Sequence, residues 1–398
     1  MTDIQTRSIG GNAGRNRSHN RRVVLDFVRA NEPSGRAEIA RSCGLSTQAV
    51  SNICEQLVQD SLLQEDGFRT GARGKPVMRY RFDGERAFSI GLELRPDALI
   101  TAVLTMSGDR IYSNRTKLGN ASPGFVVPLV KSQIEVALDA IGRDRSHLLG
   151  VGIVMPLSFG LLENSSAGQA ELPGWENVNA RETFEAALGC PVTIENDATA
   201  AAISERVSGV ARGFESFCFV YFGTGLGLGV ISDGHAQRGA YGNAGEIGHI
   251  ITQTGGLACA CGNYGCLEKY ASRMSVRDHL EKSGISALTG FALAGLLKER
   301  NAPLDEWLNS AAVNLSQAIG ILENLFDPEA VILGGAMPDT VLDELIDRLQ
   351  LPVGSVANRP DRNVARVLRG SSGRMTAAIG GAAMVIHKIV TPAPTVYQ

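Results

Sequence analysis

The segment Gly245-Glu246-Ile247-Gly248-His249, followed by Cys259-Ala260-Cys261-Gly262-Asn263-Tyr264-Gly265-Cys266-Leu267-Glu268, gathers one imidazole and three thiols into a short stretch. A histidine followed by Cys-x-Cys and Cys-x4-Cys matches a closed tetrahedral zinc site, since four N and S donors complete the shell that Zn2+ prefers. Gly262 and Gly265 let the loop wrap an ion. With His249, Cys259, Cys261 and Cys266 all engaged no position remains for water, so the expected zinc is structural and not catalytic. Such a staple would fix Glu246 and Glu268 on either side of one cleft. Free thiols are the alternative, and three of them in one exposed loop would be a liability.

Two further segments carry chemistry. In Thr193-Ile194-Glu195-Asn196-Asp197-Ala198-Thr199 an Asn-Asp pair stands where a strand gives way to a helix. Asp197 can cap that helix or act as general base toward a substrate hydroxyl, and the residues alone leave both open. Tyr221-Phe222-Gly223-Thr224-Gly225-Leu226-Gly227-Leu228-Gly229-Val230 is a glycine hairpin between apolar strands. Its N–H groups, with the Thr224 hydroxyl, suit a phosphate. It is neither the dinucleotide nor the Walker pattern, because no helix opens after it and no lysine follows.

The elements that position these groups begin with a small head. A helix runs from Ser18 with Val23, Val24, Phe27 and Val28 on one face, and Asn31-Glu32-Pro33-Ser34-Gly35 breaks it. A second helix over 36–43 stops at Gly44, and Ser46 caps a third over 47–60. Ala40, Leu45, Val50, Ile53 and Leu57 share a core. Thr47, Gln48, Ser51 and Asn52 lie on the opposite face, able to reach base edges or phosphates. Candidate wing strands at 62–65 and 78–82 flank Gly71-Ala72-Arg73-Gly74-Lys75-Pro76, where Arg73 and Lys75 enter a minor groove or touch phosphates.

From residue 83 the pattern becomes β-rich and glycine-rich. Strands are expected at 87–94, 99–106 and 110–118, a helix at 125–141 and a strand at 149–155. A second set follows at 217–222 and 227–232, with helices after Leu267 and a strand at 330–333. Two such halves facing a cleft make an α/β protein with a ligand between its lobes. The expected division is a polar tail over 1–17, a winged helix-turn-helix over 18–82, lobe 1 over 83–198 with a helix near 375–390 packing back on it, and lobe 2 over 199–374 carrying the zinc loop 249–266.

Bulk properties narrow the class. The 398 residues are 44% hydrophobic and 20% charged, so disorder is not the default. No apolar run is long enough to span a bilayer, and the basic first residues lead into no apolar segment, so a cytoplasmic address is expected. The net charge of −3 hides an asymmetry: residues 1–82 hold 13 Lys+Arg against 8 Asp+Glu, and the rest holds 25 against 33. A basic head on an acidic body points to a polyanion partner for the head. Cys43, Cys54, Cys190 and Cys218 are isolated and read as buried thiols.

These residues together resemble the ROK (Repressor, Open reading frame, Kinase) family of the sugar-kinase and actin-like superfamily. The resemblance rests on Leu172-Pro173-Gly174-Trp175 with Asn177-Val178-Asn179, Glu195-Asn196-Asp197, the 223–229 hairpin, the 245–249 and 259–268 segments, Ile332-Leu333-Gly334-Gly335-Ala336, and a head like the winged helix of the repressor branch. It implies a two-lobed actin-like, ribonuclease H-like body. It also implies that Asn196 and Asp197 bind sugar, with Asp197 the base in kinases, and that Glu246, His249 and Glu268 contact sugar hydroxyls. His249 would serve sugar and zinc at its two ring nitrogens.

The chain departs from the family's kinases where they carry an Asp followed by a Gly-Gly-Thr phosphate turn. Here stands Gly91-Leu92-Glu93-Leu94-Arg95-Pro96-Asp97. Glycines that let backbone approach phosphate are gone, Pro96 lacks an N–H donor, and Asp97 is expected to add negative charge facing ATP. Leu157-Ser158 and Leu228 are lesser departures. The expected protein is a homodimer, or dimer of dimers, that represses carbohydrate genes, binds double-stranded operator DNA and answers to a monosaccharide. It is not expected to be an enzyme. An ATP-dependent sugar kinase carrying a DNA-binding head is the alternative, and a ligand-free DNA-binding scaffold is a third class.

Overall fold

A computed structural model describes residues 16–70, 76–156, 172–286 and 289–392. Arg73, Lys75, Leu157 and Ser158 lie outside the described residues. The head comprises α1 (Asn16–Ala30), β1 (Ser34–Gly35), α2 (Arg36–Cys43), α3 (Thr47–Gln59), β2 (Leu63–Thr70) and β3 (Pro76–Phe82). Gly44 ends α2 at φ 65°, the left-handed cap that glycine adopts without strain. The Ser46 hydroxyl accepts from the Ala49 N–H at 3.2 Å and opens α3. Val50, Ile53 and Leu57 are buried against Val24, Leu25 and Val28 of α1. Residues read as a simple break after α1 also form β1, which pairs with β3 through Ser34–Tyr80 and Gly35–Arg79. The wing is thus a three-stranded sheet in the order β1-β3-β2.

The first lobe is built from β4 (Phe88–Leu94), β5 (Ala98–Thr105), β6 (Arg110–Lys117), α4 (Pro123–Ile141), β7 (Leu148–Val154), α5 (Ala180–Leu188) and β8 (Val192–Glu195). Next comes α6 (Asp197–Ser208), then β9 (Phe217–Phe222), β10 (Leu226–Ser232), β11 (His235–Ala236), α7 (Glu268–Ala271), α8 (Arg273–Lys282), α9 (Gly290–Lys298), α10 (Ala302–Phe326), β12 (Val331–Gly335), α11 (Asp339–Asp347), β13 (Val367–Ser372) and α12 (Thr376–Val390). The lobe sheets are ordered β6-β5-β4-β7-β8 and β11-β10-β9-β12-β13. In each, an antiparallel meander is extended by two parallel strands. The same topology therefore occurs twice, as the recurrence in the sequence suggested. Every residue of β4, β5 and β9 is buried, which explains why they read as mainly apolar and not as alternating strands.

Two helices, α6 and α12, pack against one another; α6 also lies on β9 and β10, and α12 on β4, β5 and β7. Alanine and glycine at their interface allow backbone-to-backbone approach. A Cβ on Gly380 would stand 2.5 Å from the carbonyl of Ala200. Each helix is fastened to its own lobe. The buried Glu205 of α6 accepts from the Ser371 N–H at 2.6 Å beside β12, whereas the Ser89 hydroxyl of β4 donates to the Ala382 carbonyl of α12 at 2.9 Å. Their C-terminal halves share a continuous apolar core with the head, including Ile203 and Val207 of α6 and Met384 and Ile386 of α12. Among the described residues no helix is long and apolar enough to cross a membrane.

Candidate ligand cleft, metal cluster and nucleic-acid interface

The cleft residues hang on the N-terminus of α6 and the β9–β10 hairpin. Asn196 is the N-cap: its Oδ1 accepts from the Thr199 N–H at 2.8 Å. The possibility that Asp197 caps the helix is thereby corrected, because Asn196 has that position and Asp197 falls in the first turn. The Asp197 Oδ1 accepts from the Ala198 N–H at 2.8 Å. Its Oδ2 lies against Gly223, where a Cβ would come within 3.2 Å. Burial raises the Asp197 carboxyl above its ordinary range; the Ala198 N–H and Arg95 oppose the shift, and Glu246 adds to it.

Glu246, His249 and Glu268 continue the same cluster. His249 Nε2 is 4.0 Å from a Glu246 oxygen, and His249 Nδ1 is 3.7 Å from a Glu268 oxygen. The other Glu268 oxygen closes on the hairpin, 2.7 Å from where a Gly225 Cβ would be. Asn196, Asp197, Glu246, His249 and Glu268 are thus brought together. Gly227 and Gly229 have a different role from phosphate contact, for they let β10 lie on Ala198 and Ala202 of α6. Leu228 faces the opposite way, into the core of lobe 2.

The donor atoms of His249, Cys259, Cys261 and Cys266 all lie within 4.8 Å of one another. Cys261 Sγ and Cys266 Sγ are 3.6 Å apart, and Cys259 Sγ is 3.7 Å from His249 Nδ1. With Zn–S bonds of about 2.3 Å, a tetrahedron has an edge of about 3.8 Å, so the donor set fits the ion. Nδ1 faces the thiols while Nε2 faces Glu246, and one imidazole can serve both sides. Gly262 and Gly265, at φ 90° and 82°, bend the loop back so that Ala258 bridges Tyr264.

At the 93–97 turn the sequence located the departure without its consequence. Arg95 Nε donates to Glu93 Oε1 at 2.5 Å, and its Nη2 donates to the Arg374 carbonyl at 3.0 Å. Glu93 is buried, and burial raises its carboxyl while Arg95 pulls it back. Arg273 lies near enough to Arg374 and Arg95 that, after burial, their charges lower it further. Tyr221 is pushed well up by burial and by Asp197 and Glu93. Asp97 is exposed, and its carboxylate accepts from Arg115 Nη2 at 2.8 Å. A carboxylate in the apolar run of β4 was the signal for the arginine, since a buried charge needs a partner.

On the head, Thr47, Gln48 and Asn52 are exposed on α3 and Ser51 is half-buried. The Gln48 amide donates to Asn52 Oδ1 at 3.0 Å, and the Ser51 hydroxyl donates to Glu55 at 3.0 Å. Glu55 puts an acid on this face, with Arg36 at 3.8 Å to offset it. Arg36 is held in turn by the Tyr80 hydroxyl at 2.8 Å from its Nε, so α2 and the wing share one anchor.

The ROK family description matches residues 90–388. The xylose repressor of Bacillus subtilis (strain 168) is 25% identical over 382 residues, covering 92% of this chain and 94% of that protein. The DNA-binding transcriptional dual regulator NagC of Escherichia coli (strain K12) is 25% identical over 354 residues, covering 86% and 85%. A solved ROK family transcriptional regulator, a homolog of the E. coli MLC protein, shares the fold at a TM-score of 0.76 and 21% identity, covering 94% of this chain and 97% of its own. A ROK hexokinase from Thermus thermophilus aligns at a TM-score of 0.60 and 25% identity, covering 75% of this chain and 97% of its own. With three quarters of its length matched by the family description, a doubled body fold and the cleft residues gathered on it, this chain belongs to the ROK family.

Proposed function

We propose that this chain is a sugar-responsive transcriptional repressor. A monosaccharide binds at Asn196, Asp197, Glu246, His249 and Glu268, and the head binds double-stranded operator DNA through Thr47, Gln48, Ser51, Asn52, Arg73 and Lys75. The relatives named as xylose repressor and as NagC support the reading. The observation that carries it is the course of α6, which starts in the cleft at Asp197 and reaches the core under the head at Ile203 and Val207.

Coupling then follows from mechanics. The helix α6 is tied to lobe 2 and α12 to lobe 1, and the head rests on both. A sugar that draws the lobes together slides one helix against the other and reorients the head. The sugar acts only through its higher affinity for that closed arrangement. Zinc at His249, Cys259, Cys261 and Cys266 would staple the loop that presents His249 and Glu268. A cytoplasmic homodimer, reading two half-sites a whole number of helical turns apart, completes the proposal.

We infer further that the body binds sugar without phosphorylating it. Arg95 with its partner Glu93 stands where the family's kinases carry the glycine turn, so the glycines that let backbone approach phosphate are absent and Pro96 offers no N–H. The retained Asp197 favours the kinase alternative. Both readings are tested by thermal melting against monosaccharides with and without Mg-ATP, together with a direct assay for ADP. One sugar should raise the melting temperature with nothing added by ATP. Sugar-dependent ADP release that disappears in Asp197→Ala would establish the kinase.

A further inference from the structure

A crevice of about 220 Å3 opens where the head meets the body, far along α6 and α12 from the sugar cleft. Its walls come from five parts of the chain: Arg22 of α1, Thr193 of β8, Ile203 of α6, His235 of β11 with Arg238 just after it, and His387 and Lys388 of α12. We propose that this crevice is a second effector site, which takes inorganic phosphate or a small phosphate monoester and clamps the head to the body.

The crevice holds unspent positive charge. The side chains of Arg22 and Lys388 make no hydrogen bond or ion pair with any described residue, although both line the crevice. Arg238 is held by the buried Glu195 at 2.6 Å, which fixes its guanidinium at the rim. Arg206 stands behind, paired with Glu215 at 2.9 Å. His235 is committed to the carbonyls of Asp233 and Pro392 at 2.7 and 2.9 Å. Two cations without a side-chain partner among the described residues, with one anchored guanidinium, face a small concavity and suit the three oxygens of a phosphate.

Like charges also crowd the joint between head and body. On the head, Arg29 sits among Arg212 and Arg206 of the body, with Asp26 as the acid beside them. His387 registers the same field: burial and the charges of Arg206, His235, Arg238 and Arg22 press it down to about 3. Asp26 offsets part of this crowding, and apolar packing supplies the rest of the attraction across the joint. A dianion between α1 and α12 would replace repulsion across the joint with attraction on both sides. The volume admits a small anion and is below the range of sites for larger ligands.

The test is melting of the full chain at constant ionic strength, titrated with inorganic phosphate, with glucose 6-phosphate, and with glucose as the neutral control. A saturable rise in melting temperature with phosphate is expected, and Arg22→Gln or Lys388→Gln should weaken its midpoint at least about tenfold. Lys388 is exposed, so its variant reports on binding without endangering the fold. Asp197→Ala, in the sugar cleft, should leave the phosphate response intact. Phosphate alone producing the rise marks the free ion as ligand; glucose 6-phosphate alone producing it, with glucose inert, marks a monoester. The proposal is overturned by no saturable rise, by a rise unchanged in both glutamine variants, or by one lost in Asp197→Ala. It is equally overturned if the glutamine variants weaken operator binding in phosphate-free buffer, for then the cations serve the DNA backbone.

Discussion

Arg95 Nε stands 2.5 Å from Glu93 Oε1, and the second Glu93 oxygen, also buried, has no partner among the described residues. The pair is therefore an obligate one, in which the arginine makes a charged carboxylate tolerable at the mouth of β4. Arg95→Ala is expected to cost about 1–3 kcal/mol, less than a fully buried pair because the guanidinium is partly exposed. Glu93 is raised by burial, and without Arg95 it rises further. A raised acid stabilises the fold below its unfolded pKa and loses that contribution as pH climbs through the folded value. The melting gap between wild type and Arg95→Ala should thus narrow at pH 5 and widen at pH 8. Glu93→Gln should rescue the variant; a gap independent of pH would refute the account.

Asn196 caps α6 and is proposed to meet the sugar, two roles that substitution can separate. Asn196→Ala removes the cap of α6 and should cost about 1 kcal/mol. Asn196→Ser keeps an oxygen for the Thr199 N–H and should melt like wild type, yet lose the amide offered to sugar. Calorimetric titration of the serine variant is expected to show at least about tenfold weaker sugar binding, and normal binding would exclude Asn196 from the site.

Metal analysis of purified protein should find one zinc per chain, to be compared with Cys261→Ser. Removing the ion with a chelator is expected to lower the melting temperature and to abolish sugar binding together, because the loop carries His249 and Glu268. Full sugar affinity in metal-free protein would detach the staple from the cleft.

Gly380→Ala adds one carbon where 2.5 Å remains to the Ala200 carbonyl. Overpacking of this kind costs about 1–3 kcal/mol. The more telling expectation concerns coupling: the variant should bind sugar and DNA separately while sugar no longer changes DNA affinity. Preserved coupling, measured by fluorescence anisotropy on a selected operator, would rule out the α6–α12 contact as the relay.

The two halves of the proposed DNA surface should respond differently. Gln48→Ala and Asn52→Ala are expected to relax the sequence preference obtained by selection from random duplexes. Arg73→Ala and Lys75→Ala should instead weaken binding to all duplexes and flatten its salt dependence by about one unit of slope each. If the wing variants change preference and not salt slope, the roles are reversed.

Much of this architecture was legible because single residues punctuate it. Gly44 and Ser46 mark the turn between α2 and α3, and mainly apolar runs betray β4, β5 and β9. The cluster of His249, Cys259, Cys261 and Cys266 was readable since its donors are close in sequence. What escaped were pairings made by folding alone. Nothing local says that Ser34 and Gly35 will meet β3, that Arg95 will turn back on Glu93 while Asp97 turns away to Arg115, or that Arg22 and Lys388 will face one crevice. Asp197 and Asn196 were adjacent candidates for one cap, and only the backbone decides between neighbours.

The length of α6 sets a scale for the switch. Twelve residues at 1.5 Å each make a rod of about 18 Å. Pivoting such a rod by about 10° at the cleft carries its far end about 3 Å, close to the 3.4 Å step between successive base pairs. In the proposed symmetric pair of chains the two displacements would add, and the proposed reading helices would fall out of step with the duplex by nearly two base pairs. A sugar need not pull the heads off their operator; it need only spoil the phase between them.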